Sequence, residues 1–499
     1  MLLPFLLSML VAIQAPRTPS HHVSRTKHAR RAARVPAIAY TTPANAGSLA
    51  ADLGSMIDRA TLGRGKWGVM VVSLTHGDTL FNRNADVQLL PASTMKLFTS
   101  AVALDRLGAG SRFQTEVLRN VAVGLDGVLH GDLVLRGSGD PTLSGKTLAD
   151  ATEPPMSALA RQIADAGIKR VTGAIVGDAS AFEERRVPDG WRKRYMASAY
   201  AARVSALSFN ENKIGVIVRP AGTIADLSFR PPVSGMAVSN EVKIVRGSRG
   251  ARVYVREDSS GRLRVSGWIG SASRPRDYQV MIERPELYAA GALRAALVAR
   301  GVAVDGPVRS AIAPPGSTRL TTLASPTLDR IITHMNGESN NHYAELLFRS
   351  AARDVGVAGS AENANILLRR FLYEKANVPP TMVFAADGSG LSTLDRVTPR
   401  AMVQLLGYVR RAPWGPVLEQ SLPVAGKTET LRHRMRYTPA MGNLHAKTGT
   451  TNDVASLGGF VTAKNGEQLV FSFIYNGTSR WRAKEAMDAM GATLASFSR

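Results

Sequence analysis

The sequence predicts a mixed α/β (α+β) protein in which an antiparallel sheet flanked by helices is interrupted by a long β-rich insertion. Three observations lead there. The globular pattern from about Asn45 to Gly108 reads as helix, β-hairpin and helix. The last 170 residues read as helices followed by alternating strands. Between them, from about Arg112 to Pro326, short apolar strands are separated by Gly, Pro and Asp, the texture of inserted β material.

In chain order, Leu53, Met56 and Ile57 mark a helical segment. An alternating strand Gly68 to Leu74, a turn at His76-Gly77-Asp78 and a second strand toward Phe81 then form a hairpin. Pro91 introduces a helix from Ser93 to Leu107, closed by Gly108, so Ser93 sits at a helix N-terminus. Inside the insertion, strand patterns fall at Gly131–Leu135, Val171–Val176, Ile214–Val218, Ala251–Val255, Leu263–Ile269 and Tyr278–Ile282, and a helical pattern runs from Glu286 to Arg300. Helical periodicity returns over Leu328–Val355, Ala361–Ala376 and Arg400–Arg411. Strands follow at Asn443–Thr450, Ala455–Val461 and Glu467–Tyr475, with a hairpin turn at Asn465-Gly466, before an amphipathic segment from Ala483 to Phe497.

Composition narrows the function. The 499 residues are 44% hydrophobic and 20% charged, with 45 Gly and 26 Pro dispersed, which is a globular signature with room for two or three packed units. Lys and Arg outnumber Asp and Glu by 62 to 39, and the formal charge of +23 favours a polyanion such as an acidic envelope polymer. No zinc-finger spacing and no basic stretch interleaved with aromatics points to nucleic acid. The absence of cysteine removes disulfides, thiolate metal sites and a Cys nucleophile together.

Residues 1–15 form an apolar run ending at Ala15, too short to span a bilayer and of the length of a secretory h-region, although it lacks a preceding Lys or Arg. Pro16 to Pro43 is polar and basic, a linker. Export to the periplasm or the outer face of the envelope is therefore expected, with no membrane span beyond the N-terminal signal.

Three short motifs carry the chemistry. Ser93-Thr94-Met95-Lys96 sets a serine and a lysine three residues apart on one helix face, within mutual reach. A serine hydroxyl is a weak nucleophile until a base takes its proton, and a desolvated lysine beside another cation serves as one. A chain of this length holds about one such spacing by accident, so the weight falls on the other two. Ser339-Asn340-Asn341 offers a hydroxyl to relay a proton and an amide to hold a carbonyl. Lys447-Thr448-Gly449-Thr450 lies on a strand that can pair with an extended peptide, where Lys447 and Thr448 hold a carboxylate and Gly449 leaves room for close approach. Ser208-Phe209-Asn210 and Lys427-Thr428-Glu429 repeat fragments of these words without their context.

The three motifs in this order match the set used by serine β-lactamases and penicillin-binding proteins. With Pro91-Ala92 before the first, Gly137-Ser138-Gly139-Asp140-Pro141-Thr142-Leu143, Ala344-Glu345 after the second, and Asp387-Gly388-Ser389-Gly390-Leu391-Ser392, the chain from about Leu49 onward closely resembles the class C penicillin-binding proteins, serine-type D-alanyl-D-alanine carboxypeptidases and endopeptidases. The resemblance implies a penicillin-binding/β-lactamase-like transpeptidase domain (45–111 and 327–499) split by insert domain II (112–207 and 281–326) and a nested domain III (208–280). It implies that Ser93 attacks the carbonyl between two D-alanines with Lys96 as base. Ser339 passes the proton to the leaving amine, Asn341 and Lys447 bind substrate, and the backbone N–H groups of Ser93 and Thr450 hold the oxyanion. Peptidoglycan peptides are the implied substrates, β-lactams the covalent inhibitors, and neither metal nor organic cofactor is needed.

The resemblance also matches Asp178, in Gly177-Asp178-Ala179-Ser180-Ala181-Phe182, to an acid that faces the amino group of the peptide's diamino acid. Thr393 stands where the family commonly has an arginine for that residue's carboxylate. The competing readings are a serine β-lactamase, which would be shorter, and a non-catalytic wall-binding protein, which would not need the intact motif set.

Overall fold

The computed structural model describes residues 38–59, 65–144, 153–258 and 260–499; the expected signal run 1–15 and the linker up to residue 37 lie outside the described residues. The chain's two ends are knitted into one antiparallel sheet of five strands, in the order His445–Thr450, Val454–Thr462, Gln468–Asn476, Lys66–Ser73, Thr79–Arg83. Each central strand is buried on both faces and so reads as an almost continuous apolar run instead of a strict alternation. Period two still assigns the faces. Val69, Val71, Phe471, Phe473 and Tyr475 pack against helices Ala46–Ile57 and Arg480–Ser496, whereas Met70, Phe460 and Val470 face helices Met95–Leu107 and Pro399–Val409.

On that second face, helix Met95–Leu107 lies among helices Leu328–Glu338, Asn341–Asp354 and Ala361–Ala376 in a single apolar cluster. The expected helical stretch from Leu328 to Val355 is in fact two helices. Ser339 takes the left-handed conformation (φ 56°), and Asn340 caps the second helix by accepting the Tyr343 N–H. The break brings the second motif to the surface of the helical layer.

Residues 112–326 form their own sheets, with a shared core of Leu133, Ile175, Ile214, Val242 and Leu293 among others. A five-stranded mixed sheet runs Val308–Ser310, Ile175–Asp178, Leu133–Arg136, Gln114–Arg119, Thr318–Ala324. Beyond it, strand Lys213–Arg219 lies between Arg276–Met281 and Asp226–Arg230, and Leu263–Gly270 between Val238–Val245 and Ala251–Glu257. The strand expected over Val171–Val176 is split, because the chain crosses at Gly173 from a small sheet (Arg170–Val171) into the large one (Ile175–Asp178). At that crossing a Cβ would meet the Gly131 carbonyl at 2.4 Å. Helix Pro155–Asp165, not anticipated, buries Met156, Leu159 and Ile163 at helical spacing. Among the described residues no helix is long and apolar enough to cross a membrane.

Candidate active site

Ser93 lies in a 3-10 turn, Ala92–Thr94, that leads into helix Met95–Leu107. Ala92 is held at φ 48°, a conformation L residues seldom adopt, and the turn is pinned from two sides. Ser456 Oγ donates to the Pro91 carbonyl at 2.6 Å, and Gly390 passes so close that a Cβ there would meet the Ala92 carbonyl at 1.8 Å. The serine is thus set in position by its neighbours on the sheet and the 387–392 loop.

Lys96 points back along the helix to Ser93, with 3.0 Å between Nζ and Oγ. It donates to Asn341 Oδ1 at 2.6 Å and to the Ser389 carbonyl at 2.8 Å. It is completely buried. Burial pushes its pKa down to about 7, against the opposing pull of the Asp387, Glu345 and Asp395 carboxyls. Ser339 and Lys447 form the second pair: Lys447 Nζ donates to Ser339 Oγ at 2.8 Å and to the Thr448 carbonyl at 3.0 Å. Burial, and next the positive charge of Lys96, hold Lys447 well below the ordinary lysine range. Two lysines with depressed pKa values thus flank one serine hydroxyl each.

Strand His445–Thr450 is the sheet edge nearest the serine. Gly449 is required there, since a Cβ would stand 2.1 Å from Ser456 Oγ, 2.9 Å from the Pro91 carbonyl and 3.0 Å from the Ser93 nitrogen. Thr448 Oγ1 is 3.2 Å from Thr430 Oγ1, and Thr450 is exposed at the strand's end. The structure therefore brings Ser93, Lys96, Ser339, Asn341, Lys447, Thr448, Gly449 and Thr450 to one cleft.

Asp178 ends strand Ile175–Asp178 in the insert, is 1% exposed, and its two carboxylate oxygens accept the backbone N–H groups of Ser180 and Ala313. Those bonds fix the carboxylate at the end of the strand. Thr393 lies beside the cleft wall, where its hydroxyl donates to the Gly190 carbonyl at 3.0 Å.

Other residues serve the site although the sequence assigned them no role. Asp387 accepts the Ser389, Gly390 and Ser392 N–H groups and the Trp191 indole N–H at 2.7 Å, shaping the loop whose carbonyl holds Lys96. Glu345 accepts the Gly388 N–H and pairs with Arg349, both side chains buried. Burial, then Asp387, raises Glu345 to about 7 and Asp395 well above the carboxylate range. Asn341, Glu345 and Arg349 recur every four residues, a single helix face that the sequence already displays. A segment of the insert forms the outer wall: the Tyr200 carbonyl accepts from Asn341 Nδ2 at 2.9 Å, and Arg192 pairs with Asp453.

A serine in a strained turn, two buried lysines and a glycine-bearing edge strand, set between a five-stranded sheet and a helical layer, define an active-site-serine hydrolase of the penicillin-binding type. The chain belongs to the D-Ala-D-Ala carboxypeptidase 3 (S13) family, which residues 49–497 match. A D-alanyl-D-alanine carboxypeptidase from an Actinomadura species is 33% identical over 479 residues, spanning 93% of this chain and 87% of the relative. The D-alanyl-D-alanine carboxypeptidase DacB of Haemophilus influenzae is 25% identical, over 83% of this chain and 85% of its own length. The crystal structure of penicillin binding protein 4 from H. influenzae superposes with a TM-score of 0.73 at 23% identity, covering 87% of this chain and 98% of that one, so the fold is shared. The protein is a serine-type D-Ala-D-Ala carboxypeptidase, a hydrolase of peptidoglycan peptides.

Proposed function

We propose that Ser93 is the nucleophile and Lys96 its base, in a reaction that acylates the serine with the penultimate D-alanine and releases the residue or peptide beyond it. The observation that carries this is the bonding of Lys96. A neutral amine has two N–H groups and one lone pair; the Asn341 and Ser389 oxygens take the two N–H groups, which turns the lone pair toward the Ser93 hydroxyl 3.0 Å away. With a pKa of about 7, an appreciable fraction of Lys96 is neutral at physiological pH.

The Ser93 proton moves to Lys96 as Oγ bonds to the carbonyl carbon. The oxyanion is held by the backbone N–H groups of Ser93 and Thr450, preorganised donors of the kind that often supply the largest share of the rate. Ser339, bonded to Lys447, relays a proton to the leaving amine, and Lys447 with Thr448 and Thr430 receives the terminal carboxylate. Water then hydrolyses the acyl-enzyme.

The same acylation by a β-lactam makes the protein penicillin-binding. Peptides joined by a D-alanyl cross-link have the same scissile bond, so endopeptidase action belongs to the proposal. So do export of the chain by way of residues 1–15, contact of the basic surface with anionic envelope polymers, and division of the insert into 112–207 with 281–326 and a nested 208–280.

The test is mass spectrometry of products from purified uncross-linked pentapeptide and cross-linked muropeptides. Loss of one D-alanine and scission of the cross-link are expected, and both vanish in Ser93→Ala. No product from either substrate, together with no labelling by fluorescent penicillin, would replace this reading with a non-catalytic wall-binding role. Rapid β-lactam turnover without peptide cleavage would replace it with a β-lactamase.

A further inference from the structure

One large cavity lies apart from the catalytic motifs. It has a volume of about 840 Å³ and opens where the helical layer meets the five-stranded sheet of the insert, lined on one side by Ser350 and Arg353 of helix Asn341–Asp354 and on the other by Arg136 and Glu116. No residue of the three catalytic motifs lines it, although Gly137, Ser138, Ser180 and Ala181 do. Ser350 is nine positions beyond Asn341 on the same helix, roughly 13 Å along its axis.

Its charges do not balance. Arg112, Arg136 and Arg353 line it together with two carboxylates, Glu116 and Asp354. Glu116 is already shared between Arg136 at 2.6 Å and Arg319 at 3.6 Å, and Asp354 pairs with Arg106 at 3.5 Å. Arg112 donates to the Ser325 carbonyl at 2.7 Å and, like Arg353, has no carboxylate partner among the described residues. Three guanidiniums therefore line the cavity with two carboxylates that are also shared with Arg319 and Arg106 outside it. At the wall, Ser350 is 5% exposed and its hydroxyl has no hydrogen-bond partner, although a buried hydroxyl ordinarily has one.

An excess of guanidinium forks around an unpartnered hydroxyl is the chemistry that receives an oxyanion, since each fork offers paired N–H donors to two oxygens of a carboxylate or phosphate. We propose that this cavity is a second binding site, for a multivalent oxyanion, held by Arg112 and Arg353 with Ser350 donating to it. The ligand bridges the helical layer and the insert. Two sources share that chemistry: the carboxylates of a peptide stem and the phosphates of an anionic wall polymer.

Calorimetric titration of the full-length protein with sodium pyrophosphate and, separately, with tricarballylate tests this. Saturable binding is expected, weakened at least tenfold in Arg112→Gln and Arg353→Gln and reduced in Ser350→Ala. It is retained in Lys447→Gln, which alters the catalytic cleft, and in Lys484→Gln, which removes an equal charge elsewhere. Penicillin labelling of the three cavity variants at the wild-type rate establishes that they are folded. Preference for pyrophosphate assigns the site to phosphate ligands, and preference for tricarballylate to carboxylates. Failure of both probes to bind overturns the proposal, as does binding unchanged in the arginine variants or weakened equally by Lys484→Gln.

Discussion

The sheet that carries the active site and the sheets of the insert are built from similar residues but buried differently. In strands Val454–Thr462 and Gln468–Asn476 almost every side chain is inside, because helices cover both faces. In strand Lys213–Arg219 burial strictly alternates, and in Val238–Val245 Val242 alone is fully buried. A sheet packed on two faces has little freedom to shift, and the edge strand His445–Thr450 inherits that rigidity where it closes on Ser93. The insert contributes one wall of the cleft and otherwise presents surface. Chemistry should thus be intolerant of change in the first region and tolerant of it in most of the second.

The largest expected effects lie in the covered region. Ser93→Ala should abolish acylation, with no covalent adduct visible by intact-mass measurement. Lys96→Met, which keeps volume and removes the base, should slow β-lactam acylation by roughly 10²–10⁴-fold, the range for loss of a positioned proton acceptor. Gly449→Ala forces a Cβ against Ser456 and the Ser93 turn, and should lower acylation strongly while leaving the circular dichroism spectrum native.

Next in size is stability. Phe473, fully buried in the catalytic sheet, should cost about 3–5 kcal/mol when cut to alanine, measured by urea unfolding. By contrast, Tyr254→Ala on the insert, where the ring is 61% exposed, should stay within about 0.5 kcal/mol and leave acylation unchanged. Equal costs at the two positions would erase the distinction between the regions.

A smaller effect is expected at Glu345. Its carboxyl raises the Lys96 pKa against burial. Glu345→Gln should therefore move the acylation pH profile to lower pH, with the plateau rate less affected than the midpoint. A midpoint moving upward would contradict the assigned sign.

Much of this was legible in the sequence. The three motifs stated which side chains meet because each has a fixed local geometry: three residues on a helix for Ser93 and Lys96, a helix start for Ser339 and Asn341, a strand for Lys447 to Thr450. The acids beneath Lys96 were not legible in the same way, since a lone Asp or Glu says nothing about which lysine it will face across the fold. Glu345 is the partial exception, four residues from Asn341 on one helix face.

At Asp178 a matching word fixes local backbone, here two N–H groups closing on the carboxylate, and says nothing of the direction the side chain takes toward substrate. Apolar periodicity continues through the break at Ser339, and only the Ser339-Asn340-Asn341 motif marks the start of a second helix there. Lys427-Thr428-Glu429 leads into a 3-10 turn and not a strand, yet its neighbour Thr430 reaches Thr448, a contact made across the fold and absent from local spacing.

A buried, partly neutral Lys96 takes the Ser93 proton in the proposed reaction. Below its pKa the ammonium has no lone pair, so acylation falls about tenfold per pH unit; above it the rate is flat. The most direct test is the stopped-flow rate of Ser93 acylation by a β-lactam between pH 5 and 9. A rise with a midpoint near 7, lost in Lys96→Met, is expected. A rate independent of pH across that range, or one still climbing toward the ordinary lysine value of 10.5, would contradict it.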